Sequence, residues 1–266
     1  MPRLSAMIWL ESRAGTAGTL SNINSISYPS NEWNVGTDTI QAKSLYKNVY
    51  GCYAGQISKP SFYDYTSATN SSQPQTLTKV SLDPSADKAI GLNNSVFDFR
   101  SNTLKNIFSP IEDVTARMAS EDTTSEVIWS VLLVSDYDVV PSTYGQRVDY
   151  IIRGTISGTV NTTLTNFPIT FDNSLSTLPN PLYKLLKADV CSSFGANKLI
   201  YSGIKFPDIS HSVPIIPRSS VQTNISPLNS LPDGYIFDAN NLPSLYLLAG
   251  NSATNDVFVD FFIQKM

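Results

Sequence analysis

The run Ser125-Glu126-Val127-Ile128-Trp129-Ser130-Val131-Leu132-Leu133-Val134 decides the fold class. From Glu126 to Val134 it is apolar on both faces of a period-two repeat, as expected of a central strand covered on each side. Its length is less than half of the ~20 residues that a membrane-spanning helix needs. Beyond an irregular loop, Val148, Tyr150, Ile152, Gly154, Ile156, Gly158 and Val160 share one face of a second run. Asp149, Ile151, Arg153, Thr155, Ser157 and Thr159 share the other. This alternation marks a long half-buried strand, or two joined at a bend near Gly154. Near the C-terminus Val257, Val259, Phe261 and Ile263 alternate with Phe258 and Phe262, and so predict a strand paired inside the sheet system.

Further strands are expected at Met7–Glu11, Thr37–Ala42, Lys79–Leu82, Ser95–Phe99, Phe167–Phe171, Lys198–Ile204, Tyr235–Asp238 and Ser244–Ala249. Clusters such as Thr69-Asn70-Ser71-Ser72-Gln73-Pro74 and Leu231-Pro232-Asp233-Gly234 separate them with turn-forming residues. Helical signal is confined to two short stretches. Pro110–Ala119 has an early proline, early acids Glu112 and Asp113, and a later Arg117, an order that suits the helix dipole; Pro181–Lys187 is the other. The fold class is therefore all-β, a sandwich or barrel, read here as an antiparallel β-sandwich with one or two short helices and long polar loops. No internal repeat stands out. The proline-rich stretch Pro207–Pro227 reads as a linker or as a loop crossing between sheets, and residues 1–266 are read as one domain.

Composition supports this class. Of 266 residues 41% are hydrophobic and only 15% charged, with a formal net charge of -4. Ser, Thr and Asn together make up about 30%, in a chain whose charged share falls below the usual quarter or so. The apolar content excludes disorder as the dominant state. The mild acidity and dispersed cations argue against direct nucleic-acid binding. Lys43, Lys47 and Lys59 lie near Tyr46, Tyr50, Tyr53, Phe62, Tyr63 and Tyr65, which suggests a stacking surface, a protein interface or a sugar platform. Aromatic residues covering a sandwich edge explain the same pattern, and Asp64 counts against a positive groove. The N-terminal Met1–Glu11 segment lacks a signal-peptide pattern and reads as a first strand. The chain is expected to be soluble. Four glycosylation acceptor patterns, at Asn70, Asn93, Asn161 and Asn224, are about what chance gives in so polar a sequence.

Chemistry is sparsely written. The single histidine, His211, excludes histidine-rich metal sites and reads as a loop residue with satisfied hydrogen bonds. Cys52 and Cys191 are read as free thiols, too few for a disulfide framework or a cysteine zinc site. No phosphate-binding glycine loop or nucleophile elbow occurs, and no cofactor is implied. Asp136 and Asp138 flank Tyr137 just after the central strand. They read first as a solvated turn pair, with calcium coordination or glycoside hydrolysis as alternatives. Glu112, Asp113, Glu121, Asp122 and Glu126 are expected to face water.

The long run Ser125–Val134, the strand after Arg147, the terminal strand Asp256–Gln264 and the Ser, Thr, Asn and Pro-rich loops together resemble the jelly-roll coat proteins of small icosahedral, picorna-like viruses. That resemblance implies a jelly-roll topology for the β-sandwich and a non-enzymatic capsid or capsid-spike subunit of the virion. Its partners would be copies of itself or related coat subunits, with a host-cell receptor or glycan as a further partner. The first forty residues contain only Arg3 and Arg13 as cations, so the basic genome-binding arm of many such proteins is missing. This fits a spike domain or a subunit cleaved from a larger precursor. A lectin-like carbohydrate-binding β-sandwich is the alternative, and a β-sandwich hydrolase a more distant one. A lectin should present an exposed Trp or Tyr over a pocket, and Trp129, set in an apolar run, is expected in the core.

Overall fold

In the computed structural model the described residues are 3–14, 19–28, 32–44, 47–56, 61–68, 75–81, 95–98, 107–108, 112–120, 125–136, 142–172, 182–193, 199–219, 225–250, 252–254 and 256–266. The chain is nearly all β. It divides into two compact units, Leu4–Val139 and Val140–Met266, the latter joined by the first three residues. The sequence reading anticipates one sandwich over residues 1–266 and does not anticipate this division. The boundary falls after Val139, and Pro207–Pro227 belongs to the second unit and does not link the two.

The strands of the first unit are β1 (Leu4–Ala14), β2 (Ser21–Asn22), β3 (Trp33–Val35), β4 (Thr39–Ala42), β5 (Lys47–Gln56), β6 (Ser61–Ala68), β7 (Gln75–Ser81), β8 (Ser95–Asp98), β9 (Ile107–Phe108), β10 (Asp113–Ser120) and β11 (Ser125–Ser135). Those of the second are β12 (Tyr150–Ile156), β13 (Thr159–Val160), β14 (Thr165–Pro168), β15 (Thr170–Phe171), β16 (Tyr183–Ser192), β17 (Leu199–Lys205), β18 (Ser212–Ile215), β19 (Arg218–Ser219), β20 (Ile236–Phe237), β21 (Ser244–Ala249), β22 (Ala253–Thr254) and β23 (Val257–Lys265). One sheet of the first unit runs β1-β11-β5-β8, and the other contains the path β4-β10-β6-β7. In the second unit the corresponding orders are β12-β23-β16-β19 and β14-β21-β17-β18.

These orders are the same. Take β1, β4, β5, β6, β7, β8, β10 and β11 as the main strands of the first unit, and β12, β14, β16, β17, β18, β19, β21 and β23 as those of the second. Each unit then reads first-eighth-third-sixth in one sheet and second-seventh-fourth-fifth in the other. Eight strands arranged as two nested Greek keys are a jelly roll, so the chain carries two in tandem. Pairing is antiparallel except for a two-residue parallel contact of β16 with β19. The duplication leaves no repeat in the sequence, because register depends on alternation and turn chemistry and not on particular residues.

Neither expected helix forms among the described residues, where the only helical turn is the 3-10 segment Pro227–Asn229. Pro110–Ala119 contains most of β10, in which buried Val114, Ala116 and Met118 alternate with half-buried Thr115 and Arg117. That period of two overrides the helix-like order of charges. Pro181–Lys187 enters β16, whose pairing with β23 shifts register between Leu185 and Lys187. The irregularity lets both Leu185 and Leu186 be buried. With Leu182 they imitate helical spacing.

The first unit's core is lined by the central strand as expected: Val127 to Ser135 of β11 are all buried, and so are Leu4 to Leu10 of β1. Trp9, Trp33 and Trp129 are all buried. In the second unit Ile152, Gly154 and Ile156 face Phe261, Val259 and Val257 across the β12–β23 ladder. Phe261 lies 5.5 Å from Phe171 and 6.0 Å from Phe237, ring centre to ring centre. Gly154 is required here, since a Cβ on it would come within 2.3 Å of Ile169 Cγ2 and 3.1 Å of Phe171 Cδ1. Gly234 closes the Leu231–Gly234 turn with a φ of 106°, in the left-handed region that favours glycine.

Gly154→Val should therefore overpack this core and lower stability by about 1–3 kcal/mol. Urea unfolding followed by circular dichroism checks this, with the loss expected in the transition of the second unit alone.

Candidate functional site

Two polar constellations stand out among the described residues, one in each unit. The first is built around Lys47, the opening residue of β5. Asn48 pairs with Ser135 at the end of β11, which sets Lys47 opposite Asp136. On its other side β5 pairs with β9 through Lys47 and Asn48. Lys47 is only 1% exposed. Its ammonium forms an ion pair with Asp136 and a second, at 3.1 Å, with Oε2 of Glu32. The Trp33 ring centre lies 5.4 Å from Nζ. Glu32 immediately precedes β3, and its carbonyl accepts a hydrogen bond from the amide of Lys43. An ammonium so deeply buried must be compensated, because its hydration shell is lost. Two carboxylates and an aromatic face provide that compensation.

This is where the structure brings Asp136. Asp138 lies outside the described residues, so the expected pair is seen only in half. No cluster of three or more His, Cys, Asp or Glu side chains able to hold a metal occurs among the described residues. The aromatic-basic segment resolves differently from a stacking surface. Tyr50 and Tyr53 are buried on β5, a central strand and not a sandwich edge, while Lys43 is exposed and Tyr46 and Lys59 lie outside the described residues. Burial, first of all, pushes the Tyr53 hydroxyl well above the usual phenol range. His211 lies in a bend just before β18, as the loop reading expects, and is buried there.

The second constellation lies on the outward face of the sheet β12-β23-β16-β19. The register places Arg153, Asp260 and Asp189 in one cross-strand row, and Arg218 joins it from β19. Arg153 donates from Nε and Nη2 to the two oxygens of Asp260 at 2.8 and 2.7 Å. Arg218 donates from Nε at 2.8 Å and Nη2 at 2.6 Å to the carboxylate of Asp189. Without these planar forks two carboxylates would face each other across neighbouring strands, which is repulsive. Flanking rows are partly apolar: Ile151 and Phe262 with Lys187 on one side, Thr155 and Phe258 with Cys191 on the other. Lys187 Nζ sits 5.5 Å from the Phe262 ring centre. Ile151 is 60% exposed and Phe258 37%. Cys52 and Cys191 are not joined in a disulfide. Burial raises the Cys191 thiol above its ordinary value, against the lowering effect of Arg218.

No protein-family model matches this chain, and no curated protein matches its sequence. Among solved structures, the STIV MCP aligns over 96% of both chains with 10% identity and a TM-score of 0.21. A structure of Sulfolobus Turreted Icosahedral Virus aligns over 96% of this chain and 90% of its own, with 11% identity and a TM-score of 0.23. A Parabacteroides distasonis protein described as secreted aligns over 97% and 87%, with 10% identity and a TM-score of 0.23. TM-scores this low establish no common fold, and the jelly-roll assignment rests on the strand orders above.

Removing one partner of a largely buried fork exposes the cost of the charge left behind. Arg218→Met should destabilise the second unit by about 3 kcal/mol, and Asp189→Leu with Arg218→Met should recover most of that. Urea midpoints of the transition that Gly154→Val also shifts provide the check. Because its thiol is raised, Cys191 in the folded chain should react with iodoacetamide more slowly than a free thiol at pH 8. Its rate should go on rising with pH beyond the point where a model thiol levels off, as followed by mass spectrometry of the modified peptide.

Proposed function

We propose that the chain is a structural subunit of a virus particle, a capsid or capsid-spike component that works by assembly and by attachment to a host receptor or glycan. On this reading it turns over no substrate and is located in the virion. The observation that carries the proposal is the outward face of β12, β23 and β16. Its two Arg–Asp pairs are made within the chain, Lys187 lies over the Phe262 ring, and Ile151 and Phe258 are left exposed beside them. A surface of that kind loses little when another protein covers it, since interfaces favour aromatic and aliphatic groups and disfavour unpaired charge. The intended occupant is another copy of the chain or a related coat subunit. Jelly rolls serve in capsids and lectins alike, so topology supports the reading without deciding it. For the lectin alternative, burial of all three tryptophans removes them as a sugar platform. No helix among the described residues is long and apolar enough to cross a membrane.

Light scattering with negative-stain imaging tests this reading. A closed oligomer or shells are expected. Ile151→Glu combined with Phe258→Glu should reduce the scattering mass to that of one chain, 29.1 kDa, and shift stability by no more than about 0.5 kcal/mol, as surface changes do. A wild-type chain that remains at 29.1 kDa at high concentration would overturn the proposal.

A further inference from the structure

We infer that Lys47 and Asp136 become joined by an intramolecular isopeptide bond, with Glu32 as the group that moves the protons. This is independent of the coat reading. Three features of the first unit support it. The β5–β11 register, Asn48 opposite Ser135, holds the amine and the carboxyl on neighbouring strand ends. Lys47 is 1% exposed, and the Asp136 and Glu32 side chains are 11% and 15% exposed. Glu32 Oε2 lies 3.1 Å from the same Nζ that Asp136 contacts. Nucleophile, electrophile and proton carrier thus converge on one nitrogen, fixed by backbone pairing on both flanks of β5. Such positioning replaces an encounter with a unimolecular step. Burial favours the neutral product over the separated ions.

The balance is as follows. Glu32 takes one proton from the Lys47 ammonium and passes it to Asp136, giving a free amine and a neutral carboxylic acid. The Nζ lone pair attacks Cγ of Asp136, and the C–N bond forms. Glu32 removes the second Nζ proton and delivers it to the leaving hydroxyl as the C–O bond breaks. One water departs, leaving a secondary amide and an ionised Glu32. The trio carries one net negative charge before and after, and no oxidant or co-reactant is required. The Trp33 ring covers the amine, and its side chain is itself buried.

The test is the intact mass of the purified, denatured full-length chain, after allowing for initiator-methionine removal, followed by proteolysis. The expected result is a chain lighter than its sequence by one water, and a branched peptide joining residue 47 to residue 136. Lys47→Met and Glu32→Gln should each show the full mass of their own sequence. If those variants fail to fold, the wild-type mass and branched peptide decide the matter alone. A wild-type chain at full sequence mass would overturn the inference and leave an ion cluster only. A link from Lys47 to Glu32 would overturn the assignment of Asp136. A Glu32→Gln chain that folds and still loses water would overturn the role of Glu32.

Discussion

Everything in each unit depends on the last strand finding its place between the first and the third. β11 sits between β1 and β5, and β23 between β12 and β16. Neither sheet is complete until that strand is inserted, so its side chains must satisfy the core and its backbone must satisfy two neighbours. β11 meets this demand by being apolar on both sides, with every residue from Val127 to Ser135 buried. β23 meets it by alternation, with Val257, Val259, Phe261 and Ile263 inward and Phe258, Asp260 and Phe262 turned away. The same topological role is filled by two different sequence patterns. That is why the duplication can be read from strand order and not from the residues.

Strands with an alternating apolar pattern were legible from the start: Tyr150–Ile156 and the terminal strand fall where alternation puts them. Ser244–Ala249 keeps its expected bounds although its last three residues are all buried, while the run from Val148 to Val160 breaks at Ser157 and Gly158 and not at Gly154. The all-β class followed from them, whereas the jelly-roll order is read from the strand pairings. Legibility failed where a second signal imitated another structure. Arg117 placed late and acids placed early look like dipole complementarity, but Val114, Ala116 and Met118 obey the sheet. Leu185 and Leu186 look helical because the ladder shifts register there. β5 was missed because its tyrosines and lysine suggested a surface. The Lys47 cluster was half visible: Asp136 stands out beside the central strand. Glu32 and Asp136 lie 15 and 89 residues from Lys47 along the chain, and no local pattern carries such a separation.

The low charge content gives each buried ion unusual weight. With 15% charged residues, most of the polar surface is hydroxyl and amide. Among the described residues the deeply placed charges occur in defined groups, Lys47 with two carboxylates and Asp189 with Arg218, and Arg153 pairs with Asp260 at the surface. These groups sit on strand ends or across ladders, where one slipped register would separate the partners. They therefore discriminate against misaligned sheets more than they add to net stability, a role for which buried polar groups are better suited than apolar ones.

Closure by the final strand also has a consequence for synthesis. While the first unit emerges from the ribosome, β1 and β5 have been made but the strand that separates them has not. Their hydrogen-bonding edges stay open until β11 is translated. An open edge is a template for any other strand, including those of a second nascent chain on the same message. Such a protein is most exposed to misassembly during the seconds of its own translation, and crowding of like chains on one polysome, more than heat, is the condition its folding has to withstand.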